Sequence, residues 1–230
     1  MKRLRWSLVC IKTNGLNFKQ DSITDIAIVT LEHWHVIECW QSLVKPNQPI
    51  PHQIVQLTGI SNTMAGDART FNELAFEIYN RLSGNLFISH NARLDYAYIK
   101  NAFLRRGIKF SEKVVCAVKL SRALYPQFRQ HNLDSLIKRF NFEVTKRHRS
   151  MVDVDSMQQF LLQCRKDFGD EAVSREIVNL TKKSSQPPNL LTNLDSVPNT
   201  SGVYLFYGQN KSIPIYIGKS INLKKRILSH

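Results

Sequence analysis

The chain has 230 residues, of which 43% are hydrophobic, so it can bury the core of one medium α/β domain beside a smaller unit, and a disordered chain is excluded. Its 32 Lys and Arg against 18 Asp and Glu give a formal net charge of +14. This charge favours a polyanion such as nucleic acid over an acidic protein or a small neutral substrate. A basic protein that uses its charge for solubility is the alternative.

The cysteines lie far apart and form no CxxC pair, so the chain encodes neither a zinc knuckle nor a dense disulfide framework. They are Cys10, Cys39, Cys116 and Cys164. The basic start leads into an apolar run of about six residues, shorter than a signal-peptide core and far shorter than a membrane span. We therefore expect a cytoplasmic protein without a membrane anchor.

The first predicted elements are strands. The runs "WSLVCI", "SITDIAIVTLE" and "WHVIECWQSLV" are short, apolar and β-branched, and the turn signal Asn14-Gly15 separates the first two. This pattern predicts that the chain opens with antiparallel strands.

Helices and a further strand follow. "TFNELAFEIYNRLS" has apolar residues at helical spacing, and "NLFIS" is typical of a buried strand. Further amphipathic helices are predicted over about residues 92–106 and in "HNLDSLIKRF" and "SMVDVDSMQQFLLQCRKDF". This order of elements indicates an α/β fold in which helices cover a mixed sheet.

A change of composition divides the chain. Polar and chain-breaking residues gather from Gly169 to Thr200, and "TKKSSQPPN" is typical of a linker. After it, "GVYLFYG" and "IPIYIG" predict two strands, and "KSINLKKRILSH" predicts the start of a basic helix. We therefore expect one domain at 1–168, a linker at 169–197 and a second unit at 198–230.

Three side chains are candidates for chemistry. They are Asp95 in "SHNARLDYAYI", and His148 and Asp153 in "RHRSMVDVDSM". Read singly, each acid has a simpler interpretation, because a carboxylate near a helix start interacts favourably with the helix dipole. Together, the two segments stand in the order of the second and third motifs of a nuclease family.

That family is the DEDDh 3′–5′ exonucleases, which include the proofreading epsilon subunit of bacterial DNA polymerase III. Residues from about 5 to 168 resemble it in "IPHQIVQLTGISNTM", "HNARLDYAYI", "HNLDSLIKRF" and "HRSMVDVD". The resemblance implies a ribonuclease H-like mixed sheet flanked by helices, on which four carboxylates hold two Mg²⁺ or Mn²⁺ ions and a histidine activates the attacking water. Asp95 matches the acid of the second motif, Asp153 the acid of the third and His148 the general base.

The first motif departs from the family pattern D-x-E-T-x-G. Residues 10–15 read CIKTNG, so Cys10 and Lys12 replace both acids. A thiol is a soft, poor ligand for Mg²⁺. Lys12 places an ammonium where the resemblance implies a dication, so cation binding is doubtful and hydrolysis is expected to be weak or absent.

The formal charge of the site changes with these replacements. Four carboxylates carry −4, whereas Asp95, Asp153 and Lys12 sum to −2 + 1 = −1. We expect Lys12 to pair with Asp95 or Asp153 in place of the metal. A rearranged active site that uses Asp25 or Asp155 is the alternative.

The turn after the first motif resembles a nucleotide-binding segment. In the family, its backbone amides approach the terminal nucleotide and an apolar residue wedges against the base. The residues for which the resemblance implies nucleotide binding are Thr13, Asn14, Gly15, Leu16, His90 and Asn91. The implied partners are single-stranded DNA or DNA 3′ ends, and polymerase or repair proteins, with RNA as an alternative to DNA.

The second unit resembles the start of the GIY-YIG nuclease module found in excinucleases and in the related Cho nuclease. The similarity lies in "GVYLFYG" and "IYIGKSINLKKRILSH". Tyr204 matches the tyrosine of GIY, Tyr216 that of YIG, Arg226 the helix arginine and His230 the histidine after it. The family's metal-binding glutamate would lie beyond His230, so we expect an incomplete β-β-α fragment that does not fold stably by itself.

These features predict an epsilon-like exonuclease domain that acts on DNA 3′ ends in replication proofreading or repair, impaired in this copy by Cys10 and Lys12. The alternatives are a non-catalytic pseudo-nuclease that binds DNA ends or a partner protein, and a decayed fragment of an exonuclease/GIY-YIG fusion. Metal-dependent hydrolysis separates the first from the others. Salt-sensitive preference for a 3′ end separates the second from the third.

Overall fold

A computed structural model describes residues 5–144, 149–182, 196–208 and 212–228. His148 and His230, for which the resemblances imply site roles, lie outside these residues. The chain divides into two compact units, Met1–Lys183 and Ser184–His230. None of the described helices combines the length and apolarity needed to cross a membrane.

Five strands form the sheet of the first unit. They are β1 (Trp6–Thr13), β2 (Ile23–Glu32), β3 (His35–Leu43), β4 (Leu86–Ser89) and β5 (Val114–Cys116). Their order across the sheet is β3-β2-β1-β4-β5. Strands β1, β2 and β3 pair antiparallel, whereas β4 and β5 run parallel to β1. The predicted α/β fold with a mixed sheet is confirmed.

Eight helices of the first unit lie among the described residues. They are α1 (His52–Thr58), α2 (Asn62–Gly66), α3 (Phe71–Leu82), α4 (Ala92–Leu104), α5 (Ala117–Leu124), α6 (Leu133–Phe140), α7 (Ser150–Phe168) and α8 (Asp170–Lys182). Helix α3 begins with a capping box between Thr70 and Glu73. Helix α6 begins at an Asn132 cap and ends at Asn141 in the left-handed conformation, where φ is 52°.

Alternate residues of the central strands point to opposite sides of the sheet, and helices cover both sides. On one face, Leu8 and Val29 pack in a cluster with Met157 and Phe160 of α7. The other face packs in a second cluster with residues of α3 and α4. Cys10 packs against the first cluster, so the end of β1 that carries the altered motif faces α7.

The structure differs from the sequence prediction at the start of the predicted linker, 169–197. Helix α8 occupies most of its first half, and Val173 and Ile177 of this helix are buried in the core cluster that faces α7. The spacing of these residues places them on one helix face. The polar composition of this segment concealed that face, and the remaining residues 183–195 lie outside the described ranges.

The second unit contains a hairpin followed by a short helix. Strands β6 (Gly202–Tyr207) and β7 (Pro214–Ser220) pair antiparallel. Helix α9 (Leu223–Leu228) follows. The order strand, strand, helix agrees with the elements expected for 198–230.

Candidate active site

The end of β1 carries Cys10 and Lys12 on the same face of the sheet, because residues two apart on a strand point to the same side. In the register with β2, Lys12 lies opposite Asp25 and Cys10 lies opposite Ala27. Since β1 is the central strand of the sheet and α7 covers this face, a charged side chain at position 12 is largely removed from water. Such a charge needs a partner of opposite sign.

Lys12 finds that partner in Asp153. Its Nζ lies 2.5 Å from Asp153 Oδ2, and the two side chains are only 14% and 9% exposed. The same Nζ lies 3.6 Å from the sulfur of Cys10. Asp95 and Asp153 were both expected as partners of Lys12. The structure pairs Lys12 with Asp153, which lies in the first turn of α7.

Asp95 lies in the first turn of α4 and is buried beside the same cation. Burial raises the pKa of its carboxyl from 3.8 to about 7, against the opposing effects of the Ser89 hydroxyl and the Lys12 charge. The Ser89 hydroxyl donates a hydrogen bond to Asp95 Oδ2. Near neutral pH the site therefore holds one ion pair and one carboxyl that is partly protonated.

The Cys10 side chain is a neutral thiol in this environment. Burial raises its pKa to about 11, and the charges of Asp95 and Asp25 act in the same direction while Lys12 acts against them. Only a thiolate is an effective nucleophile or metal ligand. Cys10 therefore supplies neither function near neutral pH.

The described donors do not fit the pair of divalent cations that the family resemblance implies. Within the described ranges, no group of three or more His, Cys, Asp or Glu residues could hold a metal ion. A cation is disfavoured here because Cys10 and Lys12 supply a protonated thiol and an ammonium at the two first-motif positions. The ammonium also pairs with the Asp153 carboxylate.

Asp25 belongs to this site by its contacts, although the sequence indicated it only as an alternative acid. Gln41 Nε2 donates to its two carboxylate oxygens at 2.9 and 3.2 Å, and the backbone N–H of Ser150 donates to Oδ2 at 3.0 Å. Arg149 Nε lies 3.8 Å from the same oxygen. Gln41, Arg149 and Ser150 were not predicted from the sequence, because only the folded chain brings α7 to β2.

Asp155, the other alternative acid, is exposed and lines a separate surface groove beside Glu143.

The turn after β1 is held by internal hydrogen bonds. The Asn14 side chain is buried, accepts from the Ser22 N–H at 2.7 Å and donates to the Gln48 carbonyl at 3.1 Å. Its backbone N–H donates to the Ser22 carbonyl at 3.0 Å. Asn14 therefore stabilises the turn through both its side chain and its backbone N–H.

The remaining turn residues differ in exposure. Thr13 Oγ1 and Tyr98 Oη both donate to the Gly15 carbonyl, at 2.6 and 2.8 Å. Leu16 follows them and is 82% exposed. The apolar side chain of Leu16 is therefore open to solvent, and its role as a wedge stays a prediction.

His90 and Asn91 lie where β4 leads into α4. Because β4 runs parallel to β1 with Leu8 opposite Ile88, their carboxyl ends meet at the same edge of the sheet. The carbonyl of His90 accepts from the Cys116 thiol at 3.3 Å. Asn91 is exposed and makes no side-chain cap for α4.

The second unit brings together three of its four predicted residues. Arg226 Nε donates to the Tyr204 hydroxyl at 3.2 Å, and the rings of Tyr204 and Tyr216 lie 6.0 Å apart. Hydrogen bonds with Tyr204 and Arg226 lower the pKa of Tyr216. A Cβ at Gly218 would overlap the Tyr204 ring, which explains the glycine at this position of β7.

We predict that Asp95 makes stability depend on pH. Its folded-state pKa of about 7 lies above the ordinary value of 3.8, so the folded chain holds this proton more tightly than the unfolded chain. The stability from this group is fully present below about pH 4 and is lost as the pH rises through about 7. We expect Asp95→Asn, which retains an oxygen that can accept from Ser89, to flatten the decline of the unfolding free energy across this range. Urea titrations measure the effect, with Asp67→Asn, on an exposed loop acid, as the control; equal slopes for the Asp95 variant and the unmodified protein would contradict the prediction.

Comparison with known proteins shows the family of the first unit. A family model described as Exonuclease matches residues 13–158, more than half of the chain. The DNA polymerase III PolC-type protein of Bacillus subtilis is 28% identical over 165 residues, which are 71% of this chain and 12% of that protein. The 3′–5′ exonuclease DinG of the same species is 31% identical over 157 residues, which are 67% of this chain and 17% of that protein. The chain thus spans less than a fifth of the length of either relative.

Solved structures show the same fold at lower identity. Exonuclease X in complex with 5′ overhanging duplex DNA is 21% identical with a TM-score of 0.60, covering 76% of this chain and 99% of that chain. A zinc-bound complex of E. coli exonuclease I with single-stranded DNA is 17% identical with a TM-score of 0.69, covering 77% and 43%. The nuclease domain of 3′hExo, a DEDDh family member bound to rAMP, is 15% identical with a TM-score of 0.62, covering 73% and 94%. The chain therefore belongs to the exonuclease family, and its first unit is related to segments of PolC and DinG.

Proposed function

We propose that the first unit binds DNA 3′ ends in replication proofreading or repair and hydrolyses the terminal phosphodiester weakly or not at all. The observation that carries this proposal is the ion pair between Lys12 and Asp153, which places a tethered cation against a carboxylate of the site. The relationship to PolC and DinG supports the process, and the solved complexes with DNA support the ligand.

The charge of the site supports weak catalysis. Mg²⁺ and Mn²⁺ prefer several oxygen ligands of negative charge. Here Lys12 satisfies Asp153, and Asp95 is partly protonated near neutral pH. The site therefore carries too little negative charge to attract two divalent cations, whether they are Mg²⁺, Mn²⁺ or the zinc of the exonuclease I complex.

We assign the remaining roles as proposals. Asp95 and Asp153 are the surviving carboxylates of the family motifs, and His148 stands at the position of the general base. A nucleotide end would contact the surface formed by the backbone of Thr13 and Gly15, the side chain of Leu16, and His90 with Asn91. An active enzyme that recruits Asp25 is disfavoured because its carboxylate already contacts Gln41, Arg149 and Ser150.

For the rest of the chain, we propose an N-terminal GIY-YIG-like segment at 198–230. The cluster of Tyr204, Tyr216 and Arg226 supports this assignment.

The exonuclease domain, placed at 1–168 from the sequence, is better drawn to include α8, since this helix completes its core. The described cysteines are free thiols, which is compatible with a reducing cytoplasm.

We predict preferential binding to a free 3′ end without added metal. With excess chelator, a labelled single-stranded DNA oligonucleotide should bind on the order of tenfold more tightly than the same strand with a blocked 3′ end, a difference of about 1.4 kcal/mol. Affinity should fall as salt rises, because the basic protein releases counterions from the phosphates. Fluorescence anisotropy measures both effects, and hydrolysis is followed on the same strands with and without Mn²⁺.

The control separates end recognition from general apolar contact. Leu16→Ser should reduce the preference for the free 3′ end, whereas Leu57→Ser, at another exposed apolar residue on α1, should not. Equal affinity for free and blocked ends would reject end binding and leave the decayed fragment as the better interpretation. Rapid Mn²⁺-dependent cleavage by the unmodified chain would reject the proposed loss of catalysis.

A further inference from the structure

Asp25 is a buried carboxylate with partners on β3 and at the start of α7. Its side chain has no exposed surface, and it lies on β2 opposite Lys12 of β1. A buried carboxylate is stable only when charge and hydrogen bonds compensate for the loss of water. The partners of Asp25 therefore indicate what the residue does.

Most of those partners belong to the start of α7. The Ser150 N–H donates to Oδ2 at 3.0 Å, and Arg149 Nε lies 3.8 Å from the same oxygen. The Ser150 hydroxyl donates to the backbone carbonyl of Asp25 at 3.3 Å. Ser150 itself is fully buried, so its N–H has no access to water. Asp25 thus fixes the first residue of α7 with both its side chain and its backbone.

This contact replaces a local helix cap. The first N–H groups of a helix lack partners within the helix, and the residue before it commonly supplies an acceptor. Here that residue is Arg149, whose side chain makes no capping hydrogen bond. Asp25 supplies the acceptor from the neighbouring strand, and its negative charge is favourable at a helix N-terminus.

The same turn of α7 carries Asp153. Asp153 stands three residues after Ser150, and its N–H donates to the Arg149 carbonyl at 3.1 Å. Lys12 and Asp25, which are neighbours in the sheet, therefore bind Asp153 and Ser150 of one helical turn. A shift of Ser150 would change the position of Asp153, and the reverse.

We infer that Asp25 is the positioning residue that sets Asp153 against the end of β1, by fixing the first turn of α7 from the sheet. The inference deepens the proposed function, because Asp153 is the acid that the exonuclease resemblance places in the third motif. It makes Asp25 a structural determinant of the site and assigns it no contact with the nucleic acid.

The test follows the Lys12 ammonium by NMR in the full chain, without DNA or metal. Asp153→Asn supplies the reference signal for a broken ion pair. Asp25→Ala should move the ¹⁵N signal of Lys12 Nζ towards that reference, and Asp25→Asn, which keeps an oxygen for the Ser150 N–H, should move it less. Glu38→Gln, at an acid of neighbouring β3 that pairs with Arg81, should leave it unchanged.

Amide hydrogen exchange in α7 gives a second readout. Asp25→Asn should speed exchange on the order of tenfold in the first turn of α7 but not in its last turn, because it removes the negative charge beside Arg149 and the helix N-terminus, and the last turn does not depend on that charge. If Asp25→Ala does not fold, this comparison decides. An unchanged Lys12 signal in a folded Asp25→Ala, or exchange that rises evenly along α7, would overturn the inference and make Asp25 an ordinary core residue. Both readouts are independent of nucleic-acid binding, so failure of the proposed function leaves them interpretable.

Discussion

The double variant Cys10→Asp, Lys12→Glu is expected to raise Mn²⁺-dependent release of the 3′ nucleotide at least about 100-fold over the unmodified chain, equal to about 2.7 kcal/mol of activation free energy. The substitutions place two carboxylates near Asp95 and Asp153, which interact with the side chains at positions 10 and 12. They also remove the Lys12 ammonium, which pairs with the Asp153 carboxylate. Metal-assisted stabilisation of the transition state is worth several kcal/mol, so the gain should be large.

The measurement is the rate of nucleotide release from a labelled single-stranded oligonucleotide. Adding Asp153→Ala to the double variant should abolish the gain, which excludes a contaminating nuclease. Lys12→Met alone should produce little activity, because it removes the ammonium without adding a carboxylate. The prediction fails if the unmodified chain cleaves as fast as the double variant, since another carboxylate would then be holding the metal.

The second large effect concerns stability. Removing one member of a buried ion pair leaves the other charge uncompensated, and such losses commonly cost about 3–5 kcal/mol. Asp153→Ala should therefore lower the unfolding free energy by about this amount, because the Lys12 side chain is only 14% exposed. Replacing both partners, by Lys12→Met with Asp153→Leu, should be close to neutral.

Urea denaturation of the full chain measures these differences. Glu77→Gln is the matched control, because Glu77 pairs with Arg69 where the two side chains are 38% and 52% exposed. Exposed pairs of this kind contribute about 0–1 kcal/mol. If the Asp153→Ala and Glu77→Gln variants lose similar amounts of stability, the Lys12–Asp153 pair is not the buried interaction described above.

Much of the fold could be predicted from the sequence because its signals are local. Alternating and continuous apolar runs indicated β1 to β4, β6 and β7, and helical spacing indicated α3, α4, α6 and α7. The three-residue strand β5 was not predicted, because so short a run carries no periodicity. Helix α8 escaped because its two buried residues, Val173 and Ile177, stand in a mostly polar segment. Composition outweighed periodicity there, and the predicted linker began too early.

The site was predictable where one motif or one strand register determines it. The pairing of Lys12 with Asp95 or Asp153 was expected from the family resemblance, which aligns Lys12 with a metal-binding position between these acids, and the structure pairs it with Asp153. The contacts of Asp25 did not follow, because Ser150 is 125 residues away in sequence and periodicity carries no information about such a distance. The burial of Asn14 was missed for a similar reason, since Gln48, one of its partners, lies in a later loop.

The ion pair between Lys12 and Asp153 has a consequence for the chain outside any reaction. A cation joined to the backbone remains at high effective concentration beside its carboxylate, so its occupancy does not depend on dilution. Chelators and shortage of free divalent ions leave it in place. We therefore expect the organisation of this part of the domain to be set when the chain folds, without a requirement for divalent ions.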